Sequence, residues 1–124
     1  MEKIIRKQVS INMSSASVTD FKLYCKKLNM QMNTIIETFM SQFLANGFEW
    51  EIKDSCFFIA NSKFPVKIDR IKKTAIITSL NYELYKDFKH WCSWHDVTVG
   101  IVLEAFIKHL VDNNFYLSFQ TCVK

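Results

Sequence analysis

The sequence predicts an α+β fold made of two tandem strand-helix-helix units, and three observations support this prediction. The segment Lys7–Met13 alternates polar and apolar residues, as a β-strand with one buried face does. A shift of 67 residues places this segment on Thr74–Leu80 without a gap. Each segment is followed by two stretches with apolar residues at the three-to-four spacing of amphipathic helices.

The correspondence extends over the whole of each half. The predicted units are residues 1–57 and 68–124, joined by a connector at 58–67. Because a chain of fewer than about 60 residues buries little surface alone, we expect the units to share one core. The chain should then be a monomer with an internal two-fold axis. The matched positions include Asp20-Phe21-Lys22 with Asp87-Phe88-Lys89, Cys25 with Cys92, Glu37 with Glu104 and Phe39 with Phe106.

Capping residues predict where the helices begin and end. Ser14 or Ser15 can cap a first helix over about Ser15–Leu28, and Asn29 suits the left-handed conformation that ends a helix. In the second unit Asn81 is the matching cap. The other predicted boundaries are Gln31 or Asn33 to Ala45 for the second helix, Asp96 in place of Asn29, and Thr98 as the cap of the last helix.

Further strands are predicted after each helix pair. Aromatic and apolar residues alternate with charged ones or form short runs there, which is typical of strands. The sheet could be extended or covered by these segments, which are Phe48–Lys53, Cys56–Ala60 and Phe115–Gln120.

Positive charge is concentrated beside the two matched strands. The net charge is only +4, but 7 of the 16 basic residues flank these strands. Such clustering at the same place in both units favours an anionic partner. The seven residues are Lys3, Arg6, Lys7, Lys67, Arg70, Lys72 and Lys73.

Other function classes have little support in the sequence. The first residues lack the apolar run of a secretory signal, and no segment approaches the roughly 20 apolar residues of a membrane span. Four cysteines without a CxxC pair favour a reducing cytoplasm. His90, Cys92, His95 and His109 lack the spacing of a zinc site, and no nucleotide-binding or hydrolase motif occurs. We therefore expect no enzyme activity, metal or cofactor.

The pattern resembles the ribbon-helix-helix family of DNA-binding proteins, which includes the Arc and MetJ repressors. The resemblance covers about residues 7–44 and 74–111, with the closest matches at Gln8-Val9-Ser10-Ile11-Asn12 and Asn29-Met30-Gln31-Met32-Asn33. It implies that the two strands pair antiparallel and enter the major groove. Two copies in one chain imply an intramolecular pseudo-dimer, similar to the TraY-type accessory proteins of plasmid conjugation.

The resemblance implies which residues contact bases. The amides of Gln8 and Asn12 suit an adenine edge, Lys73 suits guanine, and Ala75 or Ile77 suits a thymine methyl group. Because the two strands differ, the DNA site should be non-palindromic. The full expected set is Gln8, Ser10, Asn12, Lys73, Ala75, Ile77 and Ser79.

A phosphate clamp is implied at the start of each second helix, where unsatisfied amides can donate to an anion. Basic residues beside the strands would add further contacts. The expected phosphate-binding residues are Lys3, Arg6, Lys7, Gln31, Met32, Asn33, Arg70, Lys72, Thr98, Val99 and Gly100.

The expected function is sequence-specific binding of double-stranded DNA, as a plasmid or phage transcriptional regulator or a conjugation relaxosome accessory factor. Other relaxosome or regulatory proteins are further expected partners. One alternative uses helix-turn-helix or winged-helix units, with 31–38 and 98–105 in the groove. The other is a structural module that binds a protein partner through its aromatic strands, without nucleic acid.

Overall fold

The computed structural model describes residues 4–45, 49–59, 66–67 and 74–112. Over these residues the fold is mixed α+β, with four helices and two antiparallel sheets. The α+β class predicted from the sequence is thus confirmed. In chain order the elements are β1 (Arg6–Met13), α1 (Ser15–Leu28), α2 (Met32–Ala45), β2 (Trp50–Lys53), β3 (Cys56–Ile59), β4 (Val66–Lys67), β5 (Thr74–Asn81), α3 (Tyr82–Trp94) and α4 (Val99–Asp112).

The first sheet is a two-stranded ribbon in which β1 pairs antiparallel with β5. The ribbon follows from the alternation in both strands, which gives each one an apolar face. Ile11 lies opposite Ile76, and both are 2% exposed. The apolar face covers the helices, so the intervening polar residues are left on the other face. Two strands far apart in the sequence therefore form one structural unit.

The second sheet has the strand order β2-β3-β4. Asp54 and Ser55 join β2 to β3 in a tight hairpin, and both have positive φ values of 53° and 61°. This conformation matches the twist of a two-residue hairpin. The sheet packs on α4 through β3 and β4. Consequently Val99–Ile107 is buried on all sides, whereas α2 keeps exposed residues such as Thr34 and Ser41.

The starts of α1, α3 and α4 follow the predicted capping chemistry. The Ser14 hydroxyl accepts from the Ser17 amide at 3.3 Å, and the Asn81 side chain accepts from the Leu84 amide at 3.3 Å. Thr98 Oγ1 accepts from the Ile101 amide at 3.1 Å. These contacts satisfy amides that lack a partner within the helix. Asn29 and Asp96 adopt the left-handed conformation, with φ values of 56° and 58°.

One core lies between the ribbon and the helices. The Phe39 ring of α2 stacks on the Phe106 ring of α4, with ring centroids 3.9 Å apart. Phe88 meets Phe39 edge to face at 5.7 Å. Helix α1 packs against α4, and α2 packs against α3, so each early helix contacts a late one. The core is thus assembled from both ends of the sequence.

Several predicted features fall partly or wholly outside the described residues. The strand expected at Phe115–Gln120 lies outside them, as do Phe48 and Ala60 at the ends of two other predicted strands. The boundary expected after residue 57 falls within β3, and β4 was not predicted. Within the described ranges, no helix has the length and apolar character needed to cross a membrane.

Candidate nucleic-acid interface

The outward face of the β1–β5 ribbon is an exposed, uncharged surface with four polar and two apolar residues. Residues at alternate positions of each strand point away from the core, and all six between the strand ends are exposed. None of these six residues carries a charge. The structure thereby brings together all but Lys73 of the residues that the sequence predicted to contact bases. The six are Gln8, Ser10 and Asn12 of β1 and Ala75, Ile77 and Ser79 of β5.

The pairing register makes this face chemically uneven. Gln8 lies opposite Ser79, so one end presents an amide beside a hydroxyl. Asn12 lies opposite Ala75, so the other end presents an amide beside a methyl group. At the centre, the hydroxyl of Ser10 lies opposite the Ile77 side chain, which is 60% exposed. The two strands therefore offer different hydrogen-bonding groups to a ligand.

The basic residues at the start of β1 have partners within the protein. Arg6 donates to Glu37 Oε2 at 2.6 Å and to the Ser79 carbonyl oxygen at 2.9 Å. The ammonium group of Lys7 lies over the Tyr82 ring, 4.3 Å from its centroid. Both side chains remain substantially exposed. They are therefore held at the ribbon edge while part of each charge still faces solvent.

Two glutamates fix the ends of the ribbon to the helices. Glu37 of α2 accepts from the Asn81 backbone amide at 3.1 Å, where β5 turns into α3. Glu104 of α4 accepts from the Ser14 backbone amide at 3.1 Å, where β1 turns into α1. The same 67-residue shift relates the two glutamates and the two amides. Helix α2 thus anchors the end of β5, and helix α4 anchors the end of β1.

The Glu104 carboxylate is the more deeply buried of the two. It is 3% exposed, and it also accepts from the Ser14 hydroxyl at 2.8 Å and the Ser17 hydroxyl at 3.0 Å. Lys108 Nζ lies 3.9 Å away. These donors replace the hydrogen bonds with water that the carboxylate gives up when it is buried. The β1–α1 junction is consequently fixed more firmly than an ordinary loop.

The predicted phosphate clamps differ between the two units. At α2, Gln31 is exposed, and Met32 and Asn33 are half-buried. Asn33 Oδ1 is buried without a hydrogen-bond partner among the described residues. Of the three residues expected to bind phosphate at the start of α4, only Thr98 is exposed, and its hydroxyl already caps the helix.

Val99 and Gly100 at the start of α4 are buried against the protein itself. A Cβ atom added to Gly100 would lie 1.9 Å from the Asn12 carbonyl oxygen. The close approach that this glycine permits is therefore to the backbone of β1. The sequence had suggested an approach to phosphate.

Four predicted basic residues, Lys3, Arg70, Lys72 and Lys73, lie outside the described residues, and Lys67 is described only as part of the backbone of β4.

The matched cysteines are packing residues in the described core. Burial raises the pKa of the Cys25 thiol to about 11 and that of Cys92 to about 12. Both thiols therefore stay protonated near neutral pH, when they are poor nucleophiles. In the part of the chain that the structure describes, no three His, Cys, Asp or Glu side chains are grouped so as to hold a metal ion.

Sequence reasoning missed the roles of Glu37 and Glu104. The signal was present, because both are acidic residues at matched positions on mainly apolar helices. Such a residue on a core-facing helix needs a partner, but the sequence alone does not identify the donor. Comparisons with protein-family models, curated proteins and solved structures found no match for this chain.

Proposed function

We propose that this protein binds double-stranded DNA in a sequence-specific way by inserting the β1–β5 ribbon into the major groove. The observation that carries the proposal is the exposed, uncharged face formed by alternate residues of both strands. Amide and hydroxyl groups there can donate and accept hydrogen bonds. Each base pair presents a distinct pattern of donors and acceptors in the major groove, which such groups can distinguish.

The dimensions of the ribbon suit this role. Gln8 and Asn12 are four positions apart on an extended strand, which corresponds to about 13 Å. Successive base pairs are about 3.4 Å apart, so the outward face would span about four of them. A two-stranded ribbon also fits the width of the groove. The face therefore has the size of a short recognition sequence.

The proposed architecture is an intramolecular pseudo-dimer. Reciprocal contacts support it, since Glu37 and Glu104 each accept from a backbone amide in the opposite unit. The stacked rings of Phe39 and Phe106 also occupy positions related by the 67-residue shift. In this arrangement one chain supplies both strands of the ribbon, so DNA binding would not require a second copy.

We propose as the biological setting the control of a plasmid or phage promoter, or the preparation of a conjugation origin within a relaxosome. Either task requires a protein that recognises one short duplex sequence. The helix-turn-helix alternative has less support. Apart from Thr98, every residue of the segment 98–105 is buried, which leaves that segment without an exposed face for the groove.

Titration of labelled duplexes by fluorescence anisotropy tests this function. The preferred duplex, selected from a random pool, should bind more tightly than a scrambled duplex. Gln8→Ala or Asn12→Ala should cost about 1–3 kcal/mol on the preferred duplex and little on the scrambled one. Gln42→Ala removes the same kind of amide from α2 and should change neither affinity.

Lys7→Ala provides the complementary comparison. It should weaken binding to both duplexes alike and flatten the dependence of affinity on salt, since fewer counterions are released. Lys22→Ala, an exposed lysine on α1, is the matched control. Equal effects of the amide and lysine substitutions on both duplexes would contradict the proposed separation of base and phosphate contacts.

A further inference from the structure

Ile77 is the only large apolar side chain on the outward face formed by residues 8–12 and 75–79. It is 60% exposed, while its neighbour Ile76 is 2% exposed on the opposite face of the same strand. The alternation of β5 therefore directs one isoleucine into the core and the next toward solvent. Ile77 lies directly opposite Ser10, at the middle of the face.

The neighbours of Ile77 do not cover it. Ala75 and Ser79 flank it along β5, and both are small and exposed. Ser10 lies across the ribbon, where directly opposite Cβ atoms are about 4.5–5.5 Å apart. Ile77 consequently projects from the centre of the face beyond residues that are shorter than itself.

A duplex bound to this face would have to meet Ile77. Most of the edge that a base pair presents in the major groove is polar, and an isoleucine placed there would remove water without replacing its hydrogen bonds. The C5 methyl group of thymine is the apolar exception. Contact between the two would remove apolar surface from water on both sides.

We propose that Ile77 reads a thymine methyl group at the centre of the DNA site. This inference rests on the proposed function and names the base that the middle of the ribbon selects. Ser10 does not conflict with it, because a hydroxyl can donate or accept at the adjacent base edge. The hydrogen-bonding residues Gln8 and Asn12 then specify the base pairs on either side.

Replacement of single thymines by deoxyuridine tests the proposal, because this change removes the methyl group and leaves the hydrogen-bonding groups unaltered. Binding affinity is measured for the preferred duplex with each thymine of the recognised sequence replaced in turn. One central replacement should weaken binding about fourfold, which is the effect of losing one buried methyl-sized group. Replacements outside the recognised sequence should leave the affinity unchanged.

The Ile77→Ser variant should bind the thymine and deoxyuridine duplexes equally. Ile52→Ser, which changes another exposed isoleucine on β2, should keep the fourfold difference. Ile77→Gln, which has no methyl group and carries the same amide as Gln8, should also bind the two duplexes equally and provides a second variant if the serine variant fails to fold. Circular dichroism confirms that each variant is folded before titration.

The outcomes separate this inference from the proposed function. If no duplex binds specifically, the proposed function is wrong, and the inference fails with it. If a preferred duplex binds but every deoxyuridine is tolerated, only the inference is overturned. The same conclusion follows if Ile77→Ser still discriminates against deoxyuridine, because another residue must then contact the methyl group.

Discussion

Ser14 donates its backbone N–H to Glu104 Oε1 at 3.1 Å, although the two residues are 90 positions apart in the chain. The contact ties the end of β1 to the last described helix. Glu37 makes the matching contact to the amide of Asn81. Both ends of the ribbon are therefore held by carboxylates of α2 and α4, which keeps the outward face in a fixed position relative to these helices.

Loss of the Glu104 carboxylate should destabilise the protein more than loss of Glu37. Glu104→Ala leaves the buried Ser17 hydroxyl and the half-buried donors of Ser14 without their acceptor, and we expect a cost of about 2–3 kcal/mol. Glu37→Ala should cost about 1 kcal/mol, because its partner Arg6 is 41% exposed and can turn to water. Urea unfolding measures both values, and equal costs would show that burial does not govern these contacts.

Substitution of Gly100 should also reduce stability. Gly→Ala within a helix ordinarily stabilises by about 0.5–1 kcal/mol. At Gly100 the new methyl group would meet the Asn12 carbonyl oxygen, so we expect a loss of about 1–3 kcal/mol instead. The exposed Ser41→Ala change on α2 is the control and should be nearly neutral. A more stable Gly100→Ala variant in thermal unfolding would contradict the packing of α4 on β1.

The stacked rings of Phe39 and Phe106 should couple α2 and α4 energetically. We expect Phe39→Leu and Phe106→Leu to be non-additive in a double-mutant cycle, with a coupling of about 0.5–1.5 kcal/mol. Phe39→Leu combined with the exposed Leu23→Ala should be additive. Additivity in the first pair, measured by chemical unfolding, would mean that α2 and α4 do not share one core at this position.

Much of the local structure could be predicted because its causes are local. Helix α1 begins and ends at the predicted residues Ser15 and Leu28, and Asn29 adopts the predicted left-handed conformation. The alternation of polar and apolar residues identified both ribbon strands and the side chains that face outward. These features depend on the periodicity and on the capping side chain, which the sequence displays directly.

The missing features depend on contacts between distant parts of the chain. The two-residue strand β4 was not predicted because Pro65, which precedes Val66, is more typical of irregular backbone. Gly100 was read as a site of approach to a ligand because the sequence does not show that α4 packs on Asn12. Likewise, the pairing of Arg6 with Glu37 could not be inferred from the basic cluster alone.

Selection of binding sites from a pool of random duplexes tests the central claim most directly. The unmodified protein should enrich one short, non-palindromic sequence, because β1 presents Gln8, Ser10 and Asn12 where β5 presents Ala75, Ile77 and Ser79. The Gln8→Ala/Asn12→Ala double variant should lose the preference at the positions that these amides read. Failure to enrich any sequence, or recovery of a perfect palindrome by the unmodified protein, would contradict the assignment of the ribbon as an asymmetric DNA-reading surface.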